Sequence, residues 1–392
     1  MPQPPVLLAH PFRPFFVLTG AYATLVVLAW IGFLFGGWPL PLGWSPLQWH
    51  SHEMIYGFVS AAAAGFLLTA MCNWTGATPL QGKGLLALLL VWVAGRLAFW
   101  FASWLPSWLV AIVDLAFLPM VAAYVATVLL RHGNKRNLIL VAVLSALSLG
   151  NLFMHIGFIG GGVNWLRTGQ QLGLDIVTLM IVVIAGRIIP AFTGNWLKLH
   201  KGPAEQIVQS VTLTRLALTS ILVLALVSLL PAPAWCEAVA ALVAGGINAV
   251  RLFQWRGWRT WREPLLWILH LGYGWVVLAL ALRGLSGFYA ALPESLWQHA
   301  LALGGIATLI LGVMSRVAMG HTGRPLQLPM SGRVMYAAII TATVLRLLAA
   351  NQWIDYRTGV TLSAAAWVLA FSLFVIFYTP ILTQPRADGR PG

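Results

Sequence analysis

Charged side chains are scarce in this sequence: Asp, Glu, Lys and Arg together make up 8% of its 392 residues, against about 25% in an ordinary soluble domain. Apolar residues reach 60%, more than a soluble core can absorb, so a water-soluble globular fold is excluded. Cysteine is nearly absent too. The chain has two, too few for a cysteine-ligated zinc or iron–sulfur site. Cys72 and Cys236 fall near opposite ends of their apolar segments, too far apart for a disulfide. No long hydrophilic insertion interrupts the chain, and the connections are short and rich in Gly, Pro and Trp.

What fills the sequence instead is apolar runs of about 20 residues, the length needed to cross a hydrocarbon layer about 30 Å thick. They lie near 15–36, 50–72, 84–102, 105–130, 137–161, 168–193, 207–231, 234–253, 264–283, 296–319, 332–350 and 358–382. The expectation is an all-α integral membrane protein of about twelve transmembrane helices, a single polytopic domain over 1–392 with short tails at 1–14 and 383–392. The first run is too long, and too free of an A-x-A site, for a cleaved signal peptide.

Lys and Arg favour cytoplasmic loops, which supplies an independent test. With both ends inside, fifteen basic residues fall in cytoplasmic segments, and only Arg167, Arg283 and Arg357 in the opposite loops. Five more, Arg96, Arg187, Arg215, Arg316 and Arg346, lie within spans. The +14 net charge is therefore chiefly a topology signal, and no nucleic-acid partner is implied. Traces of repetition recur every four spans. Trp30-Ile31-Gly32-Phe33 resembles His155-Ile156-Gly157-Phe158, and Arg96-Leu97-Ala98 resembles Arg215-Leu216-Ala217 and Arg346-Leu347-Leu348. A threefold repeat of four-helix units is consistent with these matches, and internal repeats are common in transporters.

Ionisable groups inside a membrane are costly and are functional candidates by default. Sorting the histidines by depth at about 1.5 Å per residue gives two groups. His50, His52, His155 and His299 lie towards the outer side, and His10, His270 and His321 towards the inner side, while His132 and His200 sit in basic loops. Neutral imidazole is a strong ligand for iron and copper, whereas carboxylate-rich sites suit magnesium or calcium. On a regular helix His50 and His52 point roughly 200° apart, so both can bind one centre only if His50 precedes the helix; otherwise one is the ligand and the other supports it or stands at the rim. Asp175 lies at a depth similar to His155 and is a candidate to hold its second ring nitrogen. Arg96 and Asp114 lie within a turn of one another in depth, as a structural ion pair or with Arg96 turned to a haem propionate. The competing reading of His50, His299 and His321 is interfacial anchoring. His155 and His270 have the alternative of hydrogen-bonded packing. The tryptophans are mostly membrane belts.

Several motifs recur together in order: His10-Pro11-Phe12-Arg13-Pro14-Phe15-Phe16, Trp49-His50-Ser51-His52-Glu53-Met54 with Gly57-Phe58, and Leu67-Leu68-Thr69-Ala70 through Asn73-Trp74-Thr75-Gly76. Farther on come Gly150-Asn151-Leu152-Phe153-Met154-His155, Gly186-Arg187-Ile188-Ile189-Pro190-Ala191-Phe192-Thr193 with Asn195-Trp196, and Arg316-Val317-Ala318-Met319-Gly320-His321-Thr322-Gly323-Arg324-Pro325. In these, from residue 10 to about 325, the sequence resembles the NnrS family. The resemblance implies a twelve-span protein of the bacterial inner membrane that contains haem, of b type, and copper, and that is linked to nitric oxide metabolism, denitrification or nitrosative stress. From depth alone, the outer group, His50, His52, His155 and His299 with Arg96 and Asp175, is expected to hold haem, because Arg96 lies at a depth compatible with pairing to a propionate. The inner group, His10, His270 and His321, is expected to hold copper, or haem with one axial histidine. A nitric oxide oxidoreductase fed by quinol or a periplasmic electron donor is one reading, and a transporter of copper, haem or a small anion the other.

The charge asymmetry makes a direct prediction. Reporter fusions at residues 134, 200 and 257 are expected to give cytoplasmic signals, and a periplasmic signal at 257 would remove the twelve-span, both-ends-inside topology.

Overall fold

The structure, a computed structural model, describes residues 4–39, 43–201, 207 and 209–390. Residues 40–42 of the expected loop 37–49, position 208 at the expected start of span seven, the tail ends 1–3 and 391–392, and the side chain of Lys201 lie outside that description. The chain is 83% helical, and among the described residues there is no β-strand. Among the described residues, twelve helices are long and apolar enough to cross a membrane: α1 Phe12–Gly36, α2 Pro46–Thr75, α3 Gly82–Trp100, α4 Ser107–Arg131, α5 Lys135–Gly161, α6 Val163–His200, α7 Val211–Leu229, α8 Ala234–Gln254, α9 Pro264–Ser286, α10 Glu294–His321, α11 Met330–Ala350 and α12 Tyr356–Thr383. Each corresponds in order to one apolar run of the sequence.

The largest departure is α6, whose 38 residues span roughly 57 Å as a straight helix, well beyond the apolar stretch 168–193. Hydropathy marks only the part that fits hydrocarbon, and Pro190 inside the helix does not stop it. A proline has no N–H to give, so the carbonyl four residues earlier loses its helical partner. That carbonyl is Gly186, and Arg251 from α8 donates to it at 3.4 Å and to the Val182 carbonyl at 2.9 Å. Tyr273 on α9 completes the knot, donating to Asn248 Oδ1 at 2.5 Å, and Trp255 lays its ring 5.5 Å from the Arg251 guanidinium.

Contacts cluster into two compact units, one of 1–176, 317–325 and 371–392, the other of 177–316 and 326–370. In the first, Gly65 of α2 lets Phe15 and Phe16 of α1 close in, because a Cβ there would lie 2.8 Å from Phe15 Cβ. Tyr56 of α2 donates to the Gly169 carbonyl of α6 at 2.6 Å. The apolar stretch of α2 is 89% buried, against 28% for that of α7. A helix shielded from lipid is the one that can carry ionisable groups, and α2 carries His52 and Glu53.

The spacing of apolar residues gave no sign that three stretches widen into π-helix: Glu53–Val59 in α2, Gly157–Gly161 in α5 and Ala300–Ala307 in α10. Such widened turns occur mostly as single insertions, frequently at functional sites. His52 immediately precedes the first, His155 stands two residues before the second, and His299 immediately precedes the third.

The Arg251 knot can be tested without touching the arginine. A Cβ on Gly186 would fall inside the guanidinium of Arg251, whereas a Cβ on Gly246 meets nothing within 4 Å. Gly186→Ala is expected to cost about 1–3 kcal/mol, read as a lowered melting temperature of the solubilised protein, with Gly246→Ala as the unaffected control.

Candidate metal centre

The first unit buries an unusual concentration of ionisable side chains. His52 and Glu53 on α2, Asp114 on α4 and His155 on α5 are all buried, as is Arg96 on α3. Arg96 is the hub. Its Nη1 donates to Glu53 Oε1 at 2.5 Å, and its Nη2 pairs with Asp114 Oδ1. The fit depends on glycine, since a Cβ on Gly57 would lie 2.7 Å from Arg96 Nη1, and one on Gly95 would lie 3.2 Å from Asp114 Cα.

Around Asp114 Oδ2 three groups converge: His155 Nε2 at 2.8 Å, His52 Nε2 at 3.2 Å and Asn151 Nδ2 at 2.9 Å. Asn151 turns its other end to His52, with Oδ1 2.8 Å from Nε2. His52 Nδ1 meets Glu53 Oε1 at 3.0 Å. Both ring nitrogens of His52 therefore face oxygens. A neutral imidazole carries one N–H and satisfies one of them, and a second proton or a metal ion on the other nitrogen completes the arrangement.

The donor set meets the test for a metal. One ligand atom from each of His52, Asp114 and His155 lies within 4.8 Å of the others, and two imidazole nitrogens with one carboxylate suit copper, zinc or iron. Glu53 stands where an outer carboxylate fixes the tautomer of a ligating histidine. With both carboxylates ionised against one guanidinium the cluster carries a single formal negative charge, which a second proton on His52 or a metal cation balances. A porphyrin meets closer packing. His52 stacks on Phe99 at 3.8 Å with the planes 7° apart, while Phe158 stacks on Trp44 at 4.2 Å and lies 5.8 Å from His155. Seating a macrocycle on His52 Nε2 would require Asn151 and these rings to move.

The other expected residues divide between the units. His50 stacks on Trp30 at 4.4 Å, turned away from His52 as the helical angle requires. Asp175 accepts from Gln171, one turn earlier on α6, at 3.3 Å, and the carboxylate bonded to His155 is Asp114. Arg96 has the ion-pair partners in place. His299 belongs to the second unit, its Nδ1 2.7 Å from the Ser295 carbonyl.

His10 and His321, both in the first unit, flank Phe12, with ring centroids 6.0 and 5.5 Å from it. The region is tied down. Arg13 donates to the Leu382 and Gln384 carbonyls at 2.7 and 2.9 Å, and Arg386 to the His321 carbonyl at 2.8 Å. Burial, then the nearby charges of Arg13, His321 and Arg386, hold the His10 imidazole down at about 4, so it is neutral at neutral pH.

His270 lies in the second unit. Thr193 donates its hydroxyl to the Ile189 carbonyl at 2.8 Å, so at 2.9 Å it accepts from His270 Nε2–H. That leaves the lone pair on His270 Nδ1, which is buried with no hydrogen-bond partner.

Depth-sorting of histidines alone passed over Glu53, Asp114 and Asn151 as members of one cluster. The available signal was the acids. Of nine acidic residues, Asp114 and Asp175 lie well inside apolar runs and Glu53 follows His52 near the start of one, and hydrocarbon retains a carboxylate only with a partner.

Fold and site together define a polytopic helical membrane protein with a buried histidine–carboxylate centre. The chain belongs to the NnrS family, whose profile, described as NnrS protein, matches residues 6–386. Membership fits a nitric oxide-related membrane protein in a family associated with metal or haem binding. A comparison with curated proteins returned no match.

Removing one member of a buried ion pair leaves an uncompensated charge and costs about 3–5 kcal/mol. Arg96→Leu is therefore expected to lower the melting temperature sharply, and adding Glu53→Gln to recover part of the loss. An unchanged melting temperature for the single variant would show that the arginine does not hold the two acids.

Proposed function

We propose that this protein binds or converts nitric oxide in the bacterial inner membrane, with a copper ion held by His52, Asp114 and His155. The observation that carries the reading is the convergence of two imidazole Nε2 atoms on one buried carboxylate oxygen, at 2.8 and 3.2 Å. Haem, which the family implies, is assigned in this reading to imidazoles outside that cluster, each unit offering its own candidate: in the first, His10 and His321 on either side of Phe12, and in the second, separately, His270 through its Nδ1. When bound, the two groups would supply the one-electron chemistry that amino-acid side chains lack.

The work of the chain's own residues follows from their contacts. Arg96 keeps both acids in place and prevents their mutual repulsion. Glu53 accepts from His52 Nδ1 and so leaves Nε2 to face the centre. Asn151 bonds to both His52 and Asp114 and holds them side by side, and Phe99, Trp44 and Phe158 close the site with apolar rings. A small apolar gas partitions into lipid and needs no aqueous channel. Protons and electrons do need polar relays, so a reductase activity would draw on quinol or a periplasmic donor. The same reading keeps one polytopic domain with both ends inside and a threefold four-helix repeat.

Metal analysis and visible spectra of the purified protein test the assignment. His52→Ala and His155→Ala are each expected to lose most of the copper while the protein stays in the membrane and the haem spectrum persists. His270→Ala is expected to change the haem spectrum and spare the copper. Full metal content in both outer variants would overturn the assignment. A featureless visible spectrum after expression in haem-replete cells would favour transport of copper, haem or an anion instead.

A further inference from the structure

The Arg-Leu pair of Arg96-Leu97 recurs at Arg346-Leu347, and in the second unit the residues around it repeat the positions of the metal centre. His52 immediately precedes the π-helical segment of α2, and His299 that of α10. Gly57 and Gly304 each stand five residues after those histidines. Arg96 lies four residues before Trp100, the last of α3, and Arg346 four before Ala350, the last of α11. Asp114 is the eighth residue of α4, and Ser363 the eighth of α12. What differs is the charge. Ala300 stands where Glu53 does and Ser363 where Asp114 does, so the arginine is kept and both acids are gone.

That leaves Arg346 without a counter-ion. Among the described residues no carboxylate pairs with it; its guanidinium lies 5.8 Å from the ring of Tyr356, and its Nη1 is buried with no hydrogen-bond partner. Arg251 is held by carbonyls, but at the end of α11 those of Leu347, Leu348 and Ala349 already accept from the N–H groups of Asn351, Trp353 and Gln352. Ser363 donates its hydroxyl to the Ala342 carbonyl at 2.7 Å, one turn before Arg346 on the same face of α11. A second donor is stranded in the same unit. In the first unit a Cβ on Gly57 would lie 2.7 Å from Arg96 Nη1 and 3.0 Å from the Tyr22 ring of α1, whereas at Gly304 the ring that closes in is Trp275 of α9, 2.7 Å from a Cβ. The Trp275 Nε1–H is buried and also lacks an acceptor.

Two buried donors, one of them cationic, with no acceptor between them call for an anion. One guanidinium balances one charge, and burial penalises any surplus, so the anion is monovalent. The guanidinium fork matches a planar pair of oxygens. We infer that Arg346 and the Trp275 Nε1–H bind a small, planar, monovalent oxyanion of the nitrate or nitrite type, at the position in the second unit that corresponds to the metal centre of the first. Arg346 lies one turn from the end of α11, within reach of water at that face. The inference draws on the four-helix repeat proposed above and is independent of the copper assignment.

The test is thermal unfolding of the full-length, detergent-solubilised protein, dialysed into fluoride and titrated with nitrate or sulfate at constant ionic strength. Nitrate should raise the melting temperature saturably, as a ligand of the folded state does, and sulfate should not. Arg346→Gln should weaken nitrate binding about tenfold or more, and Trp275→Phe several-fold. Ser363→Asp sets a carboxylate where Asp114 stands in the first unit. It should raise the anion-free melting temperature and abolish the nitrate response, so the test survives an arginine variant that does not fold. Arg215→Gln, in the exposed copy of the motif on α7, should leave the response unchanged. His52→Ala should keep it as well, which separates failure of this site from failure of the copper centre. The site is overturned by a wild type that shows no saturable rise, by an equal rise in sulfate, or by a rise that persists in both Arg346→Gln and Ser363→Asp.

Discussion

The guanidinium of Arg96 between Glu53 and Asp114 is the contact on which the first unit depends. Each of these groups alone would cost several kcal/mol to bury, and in a membrane-spanning helix no water is at hand to relieve it. Their presence at the core of a bundle therefore fixes where the helices can sit. Glu53 belongs to α2, Arg96 to α3 and Asp114 to α4, and Asn151 and His155 bring in α5 through the second oxygen of Asp114. One cation thus sets the mutual register of four helices. The glycines follow from this constraint: Gly57 and Gly95 stand where any side chain would push apart the arginine and its acids.

Local helix geometry serves the same centre. A π-turn adds a residue within a helix and rotates everything beyond it. In α2 the widened segment Glu53–Val59 begins where the chain must present His52 and Glu53 together. It also leaves the Gly57 carbonyl to receive Trp92 Nε1 at 3.2 Å, a further tie to α3. In α5 the segment Gly157–Gly161 follows His155 and carries Phe158 back over the ring. Residues adjacent in sequence reach one site because the helices are not regular there.

This explains which parts of the protein were legible in the sequence. The twelve helices were, because hydrocarbon thickness imposes a length and composition that single-residue detail cannot disguise. His52 and His155 were legible as buried donors of similar depth, and their partners were only half so. Arg96 and Asp114 were recognisable as a pair, but depth says nothing about azimuth, so the choice of Asp114 over Asp175 for His155 needed the helix packing. The π-turns left no trace in periodicity. The overhang of α6 was hidden because its ends are polar, and the helix continues through Pro190 because the carbonyl that proline frees is taken by Arg251.

Arg251 also bears on what the acids of the first unit are for. It is a buried arginine too, 3% exposed, yet the groups that hold it are the carbonyls of Val182 and Gly186, the Tyr273 hydroxyl at 3.4 Å and the face of Trp255. The fold can therefore retain a guanidinium inside a helical bundle with neutral acceptors. Two carboxylates around Arg96 exceed what that task demands. The second carboxylate oxygen, Asp114 Oδ2, is the atom on which two imidazoles converge, so the acid that the arginine does not need is the one that completes a donor set able to hold a metal ion.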